Sequence, residues 1–193
     1  ALLTGATLIT KRVRGIRRAA MAPVIPTVTG KAVLIDCGAN AECTAEYLVQ
    51  FAYLGSFYAK SMLGLENPRV ALLNIGTEPE KGTDLQREAY GLLSAAKDIN
   101  FIGNIEAKEA VKGGCDVIVC DGFSGNVMLK TIEGVGSFAG TALKGIFKKN
   151  LLTKIAALLV MPGLNAFKAM LDPNKVGGTA FIGVSKPVLK AHG

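Results

Sequence analysis

Lys81 stands between two turn segments, Gly76-Thr-Glu-Pro-Glu80 and Gly82-Thr83, directly after the apolar run Val70-Ala-Leu-Leu-Asn-Ile75. A lysine at the end of a strand offers a cation to an anionic ligand. A second turn, Asp121-Gly-Phe-Ser-Gly-Asn126, follows Val117-Ile-Val-Cys120 and opens a long segment of helical period. Such a turn aims backbone N–H groups and the positive end of a helix at one point, a seat for a phosphate or an oxyanion. A third polar turn, Asp36-Cys-Gly-Ala-Asn40, ends another apolar run.

Apolar runs bounded by glycine or proline alternate with segments of helical period. That alternation predicts an α/β fold around a mainly parallel sheet. Strands are expected near 32–36, 69–74, 99–102, 116–120 and 180–184, and helices over 1–13, 43–63, 83–96 and 124–149. The helix over 43–63 carries Tyr47, Phe51, Leu54 and Tyr58 on one face. In sheets of this kind ligands bind outside the carboxyl ends of the strands, where all three polar turns fall. The turns are therefore expected to form one site. No internal repeat or low-complexity linker interrupts the chain.

With 193 residues, half of them apolar, the chain can bury a substantial core. No apolar run approaches the roughly 20 residues of a membrane-spanning helix, and no secretory segment is evident. Cys37, Cys43, Cys115 and Cys120 form no CxxC pair and have no nearby histidine, so they read as reduced core thiols of a cytoplasmic protein, with no metal expected. The net charge of +7 is concentrated in Lys11, Arg12, Arg14, Arg17 and Arg18, and in Lys144, Lys148, Lys149 and Lys154. Both clusters suit an acidic partner or an anionic surface, or are simply solvated faces. The absence of interleaved aromatic residues argues against nucleic acid.

Spacing excludes several enzyme classes. The order Lys81-Gly82-Thr83 lacks the adjacent Lys and Ser/Thr of a P-loop. Gly134-Val-Gly-Ser-Phe-Ala-Gly140 is one residue off the dinucleotide fingerprint and lies within an expected helix, where it suits close helix packing. Gly122-Phe-Ser-Gly125 breaks the nucleophile-elbow order, and the single histidine, His192, lies far along the chain.

Six segments carry a family resemblance: Ala22-Pro-Val-Ile-Pro-Thr27, Leu34-Ile-Asp-Cys-Gly-Ala-Asn40, Leu73-Asn-Ile-Gly-Thr-Glu-Pro-Glu-Lys-Gly82, Asn100-Phe-Ile-Gly-Asn-Ile-Glu106, Asp121-Gly-Phe-Ser-Gly-Asn126 and Lys190-Ala-His-Gly193. In this order they resemble the bacterial acyl-ACP:phosphate acyltransferase family (PlsX). The resemblance implies transfer of a fatty acyl group from acyl carrier protein to inorganic phosphate. The acyl phosphate formed would pass to a membrane glycerol-phosphate acyltransferase for phosphatidic acid synthesis. It also implies a three-layer α/β subunit, similar to the phosphotransacetylases and isocitrate/isopropylmalate dehydrogenases, that forms a homodimer through helices. Members of the family begin with a strand carrying Asp-Ala-Met-Gly-Gly-Asp and an Ala-Gly-Asn-Thr-Gly turn, and end in a further helix. Residues 1–193 are thus expected to be a central fragment. Ala19 departs from the family's usual proline.

The implied reaction needs phosphate held against a thioester carbonyl, its charge screened and the tetrahedral oxyanion stabilised, with neither cofactor nor metal. Lys81 is assigned to neutralising charge, and Asn126, with the N–H groups of Gly125 and Asn126, to the oxyanion or phosphate. Asn40 and Thr77 are candidate phosphate contacts, and Asp121 either orients Lys81 or caps the following helix. Asn40, Thr77 and Asp121 also suit plain capping and turn roles. His192 is a candidate proton donor to the leaving thiol.

Residues 147–171 read as an amphipathic helical hairpin turning at Pro162-Gly163, with Lys148, Lys149, Lys154 and Lys168 around it. Leu152, Ile155, Leu158 and Leu159 would rest in a membrane interface, giving peripheral membrane association; a buried helix pair or a dimer interface is the competing reading. Two other functions compete with acyl transfer from the carrier protein. One is a short-chain phosphotransacetylase or phosphotransbutyrylase using acyl-CoA, and the other a noncatalytic carrier-protein or membrane-binding module.

Overall fold

Side-chain alternation along the central strands sorts the core into two faces, and the helices cover both. The computed structural model describes residues 2–171 and 179–190. In chain order the elements are α1 (Leu2–Gly5), a π-helical turn (Ala6–Thr10), β1 (Ala20–Ala22), β2 (Val24–Thr27), β3 (Gly30–Ile35), α2 (Ala45–Leu63), β4 (Val70–Asn74), α3 (Asp84–Ala95), β5 (Phe101–Glu106), α4 (Ala107–Lys112), β6 (Val117–Val119), α5 (Gly122–Phe147), α6 (Leu151–Leu171), β7 (Thr179–Ile182) and β8 (Val188–Lys190). A five-stranded sheet has the order β2-β3-β6-β4-β5. It is parallel except for β2, which pairs antiparallel with β3. A second, antiparallel sheet has the order β1-β7-β8.

Val33, Ile35, Val70, Leu72, Val117 and Val119 point to one face of the large sheet, where they pack with residues of α2 and α3 such as Phe51 and Leu93. Their neighbours Ala32, Leu34, Ala71 and Ile118 point to the other face and meet Ala110 of α4 and Met128 of α5. This period of two, with helices on both sides, produces the expected three layers. At Gly55 helix α2 lies so close to the sheet that a Cβ would come 2.6 Å from Val117 Cγ1.

Polar contacts fix where the elements start. The Arg69 guanidinium grips Asp116 through Nε and Nη2 at 3.1 and 2.9 Å, and donates to the carbonyls of Gly114 and Gly113 at 3.1 and 3.0 Å. This joins the starts of β4 and β6, adjacent strands of the sheet. Thr44 caps α2, its hydroxyl accepting from Tyr47 N, and Gly64 ends that helix with φ of 68°.

Several boundaries differ from expectation. The predicted helix over 1–13 is an α-helix and a π-turn that stop at Thr10. Instead of 99–102, β5 runs from Phe101 to Glu106 and passes through Gly103, whose φ is 98°, beside a register shift in its pairing with β4. Strands β1, β2 and β8 and helix α4 were not anticipated. The expected turn at Pro162-Gly163 is absent: α6 is one helix containing Pro162, and the break between helices falls at 148–150, between α5 and α6. Asn150 sets that position, because its Oδ1 accepts from Thr153 N at 2.9 Å while Thr153 Oγ1 accepts from Asn150 N at 3.1 Å. Proline removes one backbone donor from a helix, and here the flanking turns carry the helix through it. His192 lies outside the described residues.

Candidate active site

Three polar turns follow β3, β6 and β4, which are neighbours in the sheet and run in the same direction. The first is organised by Asp36, which is fully buried. Its Oδ1 accepts from the N–H groups of Met21, Cys37 and Ala39 at 2.8, 2.7 and 3.3 Å, and its Oδ2 from Asn40 N and Nδ2 at 2.6 and 2.9 Å. Burial raises the Asp36 carboxyl above its usual range, and the donors from Met21, Asn40 and Ala39 oppose that rise. The carboxylate thereby closes the turn and ties it to β1 of the small sheet.

Asn40 is held in this network. Its side-chain amide donates to Ala19 O at 2.9 Å as well as to Asp36, and its carbonyl accepts from Gly122 N at 2.8 Å. The last bond locks the first turn to the second. Around it the packing is tight: a Cβ on Gly122 would lie 2.5 Å from Asn40 O, and one on Gly125 would lie 2.0 Å from Asp36 O. Only glycine fits these places, so the start of α5 presses directly on the Asp36 turn.

Asp121 is the N-cap of α5. Its Oδ1 accepts from Ser124 N and its Oδ2 from Ser124 Oγ, both at 2.8 Å. Of its two anticipated roles, capping is the one present. The Gly125 N–H, expected to face a ligand, donates to Asp121 O at 3.0 Å within the helix. The side chain of Asn126 is exposed and lies over Gly38, whose ideal Cβ would be 3.7 Å from Asn126 Cβ and Cγ. Asn126 therefore faces the Asp36 turn with its amide open to solvent.

The Gly76–Gly82 turn follows β4. Glu78 O accepts from Lys81 N at 3.2 Å, closing a β-turn, and from Asn104 Nδ2 at 2.7 Å. Asn74 Nδ2 donates to Lys81 O at 3.0 Å. The Lys81 stem crosses Gly76, with Cγ 3.1 Å from the place a Cβ would occupy, and its ammonium forms no ion pair among the described residues. Thr77 is exposed on the same turn. Gly82 has φ of 89° and approaches Asn74 Oδ1, where a side chain would collide. The structure thus joins the Asn40 and Asn126 turns by direct contact and sets the Lys81 turn at the end of the adjacent strand.

Asp36, Asn74 and Asn104, which hold these turns, were not singled out from sequence. A polar residue closing an apolar run was the available signal for Asp36 and Asn74. Asn104 lies inside a strand and gave none.

The four cysteines are free thiols. Burial, followed by the charge of Asp36, pushes Cys37 up to about 12. Burial likewise pushes Cys43 and Cys115 up to about 12, and drives Cys120 well above its ordinary value. They are protonated packing groups at neutral pH. Among the described residues no group of three or more His, Cys, Asp or Glu side chains is arranged to hold a metal ion.

This architecture is that of the phosphotransacetylase fold. A phosphotransacetylase from Streptococcus pyogenes superposes with a TM-score of 0.56 over 70% of this chain and 47% of its own, at 20% identity. The EutD phosphotransacetylase from Staphylococcus aureus gives 0.54 over 68% and 46%, also at 20% identity. The sequence makes the closer assignment: all of residues 1–193 match the family model for fatty acid synthesis protein, and the chain belongs to that family. Over all 193 residues it is 51% identical to a protein of Alkaliphilus oremlandii and 45% identical to one of Caldanaerobacter subterraneus subsp. tengcongensis, both named phosphate acyltransferase. The chain spans 57% and 58% of the length of these two relatives.

Proposed function

We propose that this chain is the central part of an acyltransferase that moves a fatty acyl group from acyl carrier protein to inorganic phosphate, supplying acyl phosphate for phospholipid synthesis. The observation that carries the proposal is the placement of Lys81, whose ammonium forms no ion pair among the described residues, and of a solvent-open Asn126 on turns at the ends of adjacent strands. The names of the relatives support the same reading.

In the proposed step an unprotonated oxygen of hydrogen phosphate attacks the thioester carbonyl. A C–O bond forms, the C–S bond breaks, and the proton of hydrogen phosphate ends on the departing thiol, with His192 as the relay. Lys81 neutralises phosphate charge as the nucleophile approaches, and the Asn126 amide donates to the developing oxyanion. Thr77 contacts phosphate. Asn40, Asp121 and Gly125 act by fixing the Asn126 turn. Preorganised donors of this kind remove the need to reorganise solvent during the reaction.

Acyl carrier protein would dock on the basic segment around Arg14, Arg17 and Arg18. That segment is braced on α2: Arg17 N donates to Gln50 Oε1 at 2.8 Å, Gln50 Nε2 donates to Gly15 O at 3.2 Å, and Arg18 lies 5.8 Å from the Tyr47 ring centroid. No helix among the described residues is long and apolar enough to cross a membrane. Leu152, Ile155, Leu158 and Leu159 are 78, 50, 70 and 79% exposed on α6. We assign them to peripheral contact with a membrane, where the product would reach a glycerol-phosphate acyltransferase. Exposed Val127, Val135 and Phe138 on α5 are assigned to a homodimer interface.

Hydroxylamine trapping of acyl phosphate, with palmitoyl-ACP or acetyl-CoA as donor to inorganic phosphate, tests the reaction in the full-length protein. Turnover of palmitoyl-ACP is expected. Turnover of acetyl-CoA alone would assign a short-chain phosphotransacetylase, and turnover of neither would leave a binding module.

A further inference from the structure

Helix α5 carries a cation on the face that presents Asn126. Asn126, Lys130 and Glu133 are spaced i, i+4 and i+7, away from the buried side of the helix, which holds Gly122, Gly125 and Met128. Residues four apart in a helix have Cβ atoms about 5–6 Å from each other. Cα–Cβ bonds also tilt toward the helix N-terminus, which brings Asn126 within reach of the four-carbon Lys130 stem. The Lys130 side chain is 57% exposed and free to swing, and its ammonium lies 2.7 Å from Glu133 Oε2.

The pair stands close to the Asp36 turn. Leu129 and Ile132, interleaved with it in sequence, pack in the cluster that contains Cys37. Cys37 Sγ in turn donates to Gly125 O at 3.5 Å, beside Asn126. The charges register there as well: burial and Asp36 raise the Cys37 thiol, Glu133 adds to the rise, and Lys130 opposes it. An exposed lysine–glutamate pair contributes little to stability, so the fold alone gives the pair no strong role. The reaction gives it one. Hydrogen phosphate brings two negative charges to the site, and Lys81 answers one of them. As the C–O bond forms, part of that charge moves to the oxygen beside Asn126, one helical turn from Lys130.

We propose that Lys130 is the second phosphate-binding cation of the site, approaching from the Asn126 side while Lys81 approaches from the end of β4, and that Glu133 holds its ammonium when the site is empty. The assignment rests on the acyl-transfer reading for the presence of phosphate and adds a residue that binds it. Phosphate competes with the Glu133 carboxylate for the ammonium. Exchanging one exposed anionic partner for another costs little, so the cation is available without being left unpaired in the free enzyme.

The test is calorimetric titration of the full-length enzyme with inorganic phosphate, without acyl donor, together with steady-state kinetics. Lys130→Met should weaken phosphate binding at least about tenfold, the loss of one hydrogen bond to a charged group, while KM for palmitoyl-ACP holds. Lys130→Arg, which keeps the charge, should recover most of that loss. Glu133→Gln should tighten phosphate binding by about two- to fivefold, because the competitor is gone. Relative to Glu133→Gln, the double variant Lys130→Met with Glu133→Gln should again lose about tenfold. A double variant that binds phosphate as tightly as Glu133→Gln overturns the proposal, since the weakening in Lys130→Met would then come from the bared carboxylate. Unchanged phosphate binding in Lys130→Met overturns it, as does a Lys130→Arg protein as weak as Lys130→Met. A selective rise in KM for palmitoyl-ACP overturns it too and moves Lys130 to carrier-protein docking. Phosphate binding that follows the expected pattern while no donor is turned over would sink the acyl-transfer reading and leave this one standing; absence of phosphate binding by the parent would sink this one.

Discussion

Substitution of Gly125 by alanine should damage the protein out of proportion to the single methyl group added. The new Cβ would sit 2.0 Å from the Asp36 carbonyl oxygen and 2.8 Å from Cys120 Sγ. The first is backbone of a turn held by five hydrogen bonds to the Asp36 carboxylate, and the second is buried, so neither yields cheaply. Overpacking of this kind costs about 1–3 kcal/mol, against which alanine in a helix returns up to about 1 kcal/mol. A backbone contact this short belongs at the upper end, for a net loss of about 2 kcal/mol. In a chain of this length that lowers Tm by about 4–8 °C. Gly91→Ala in α3 is the control, because its Cβ meets nothing within 4 Å. There the helix-propensity gain stands alone, and Tm should hold or rise by about 2–4 °C. Thermal unfolding followed by circular dichroism reads both. A Gly125→Ala protein that melts with or above the parent would refute the close seating of α5 on the Asp36 turn, and with it the positioning of Asn126.

Further consequences follow for pH, the membrane and the carrier protein. Burial alone would raise the Asp116 carboxyl, but its side-chain and backbone hydrogen bonds from Arg69 outweigh burial and hold it below the usual range. The pair therefore stabilises the fold above the unfolded carboxyl pKa of about 3.9, and that contribution is lost as pH falls through the lower folded value. Urea midpoints of the parent and Asp116→Asn should differ at pH 7 and converge on acidification; a constant gap would contradict the pair's role. Leu158→Glu with Leu159→Glu should abolish flotation with anionic liposomes while Tm stays within about 1 °C, whereas collapse of the fold would show these residues to be core. Reversing Arg14, Arg17 and Arg18 to glutamate should raise KM for palmitoyl-ACP most strongly at low salt, and an unchanged KM there would remove the segment from the docking surface.

The three turns were legible because each is a cluster of glycine and polar residues closing an apolar run, and local chemistry suffices to end a strand and open a helix. The two-faced sheet was legible from the same runs. Strands β1 and β2 were not, since they are short and separated by Pro23, which reads as a break. Strand β5 is longer than the sequence suggests, because Gly103 looks like a terminator but carries a positive φ within the strand. The break between the last two helices was misplaced for a related reason. Pro162-Gly163 is the louder turn signal, and the reciprocal Asn150–Thr153 cap that sets the break is quieter. What holds the site could not be read at all. Gly122 reaches Asn40, and Asn104 reaches Glu78, across long stretches of chain, and such contacts exist only once the sheet order is known.

The central claim is that Lys81 and Asn126 act together on phosphate and the oxyanion. Its most direct test is the rate of acyl phosphate formation from palmitoyl-ACP by the full-length parent, Lys81→Ala and Asn126→Ala, each with unfolding checked by circular dichroism. Both side chains are exposed, so the variants should fold normally while kcat/KM falls by about 10²–10³ in each. Folded variants that turn over palmitoyl-ACP at the parental rate would contradict the account.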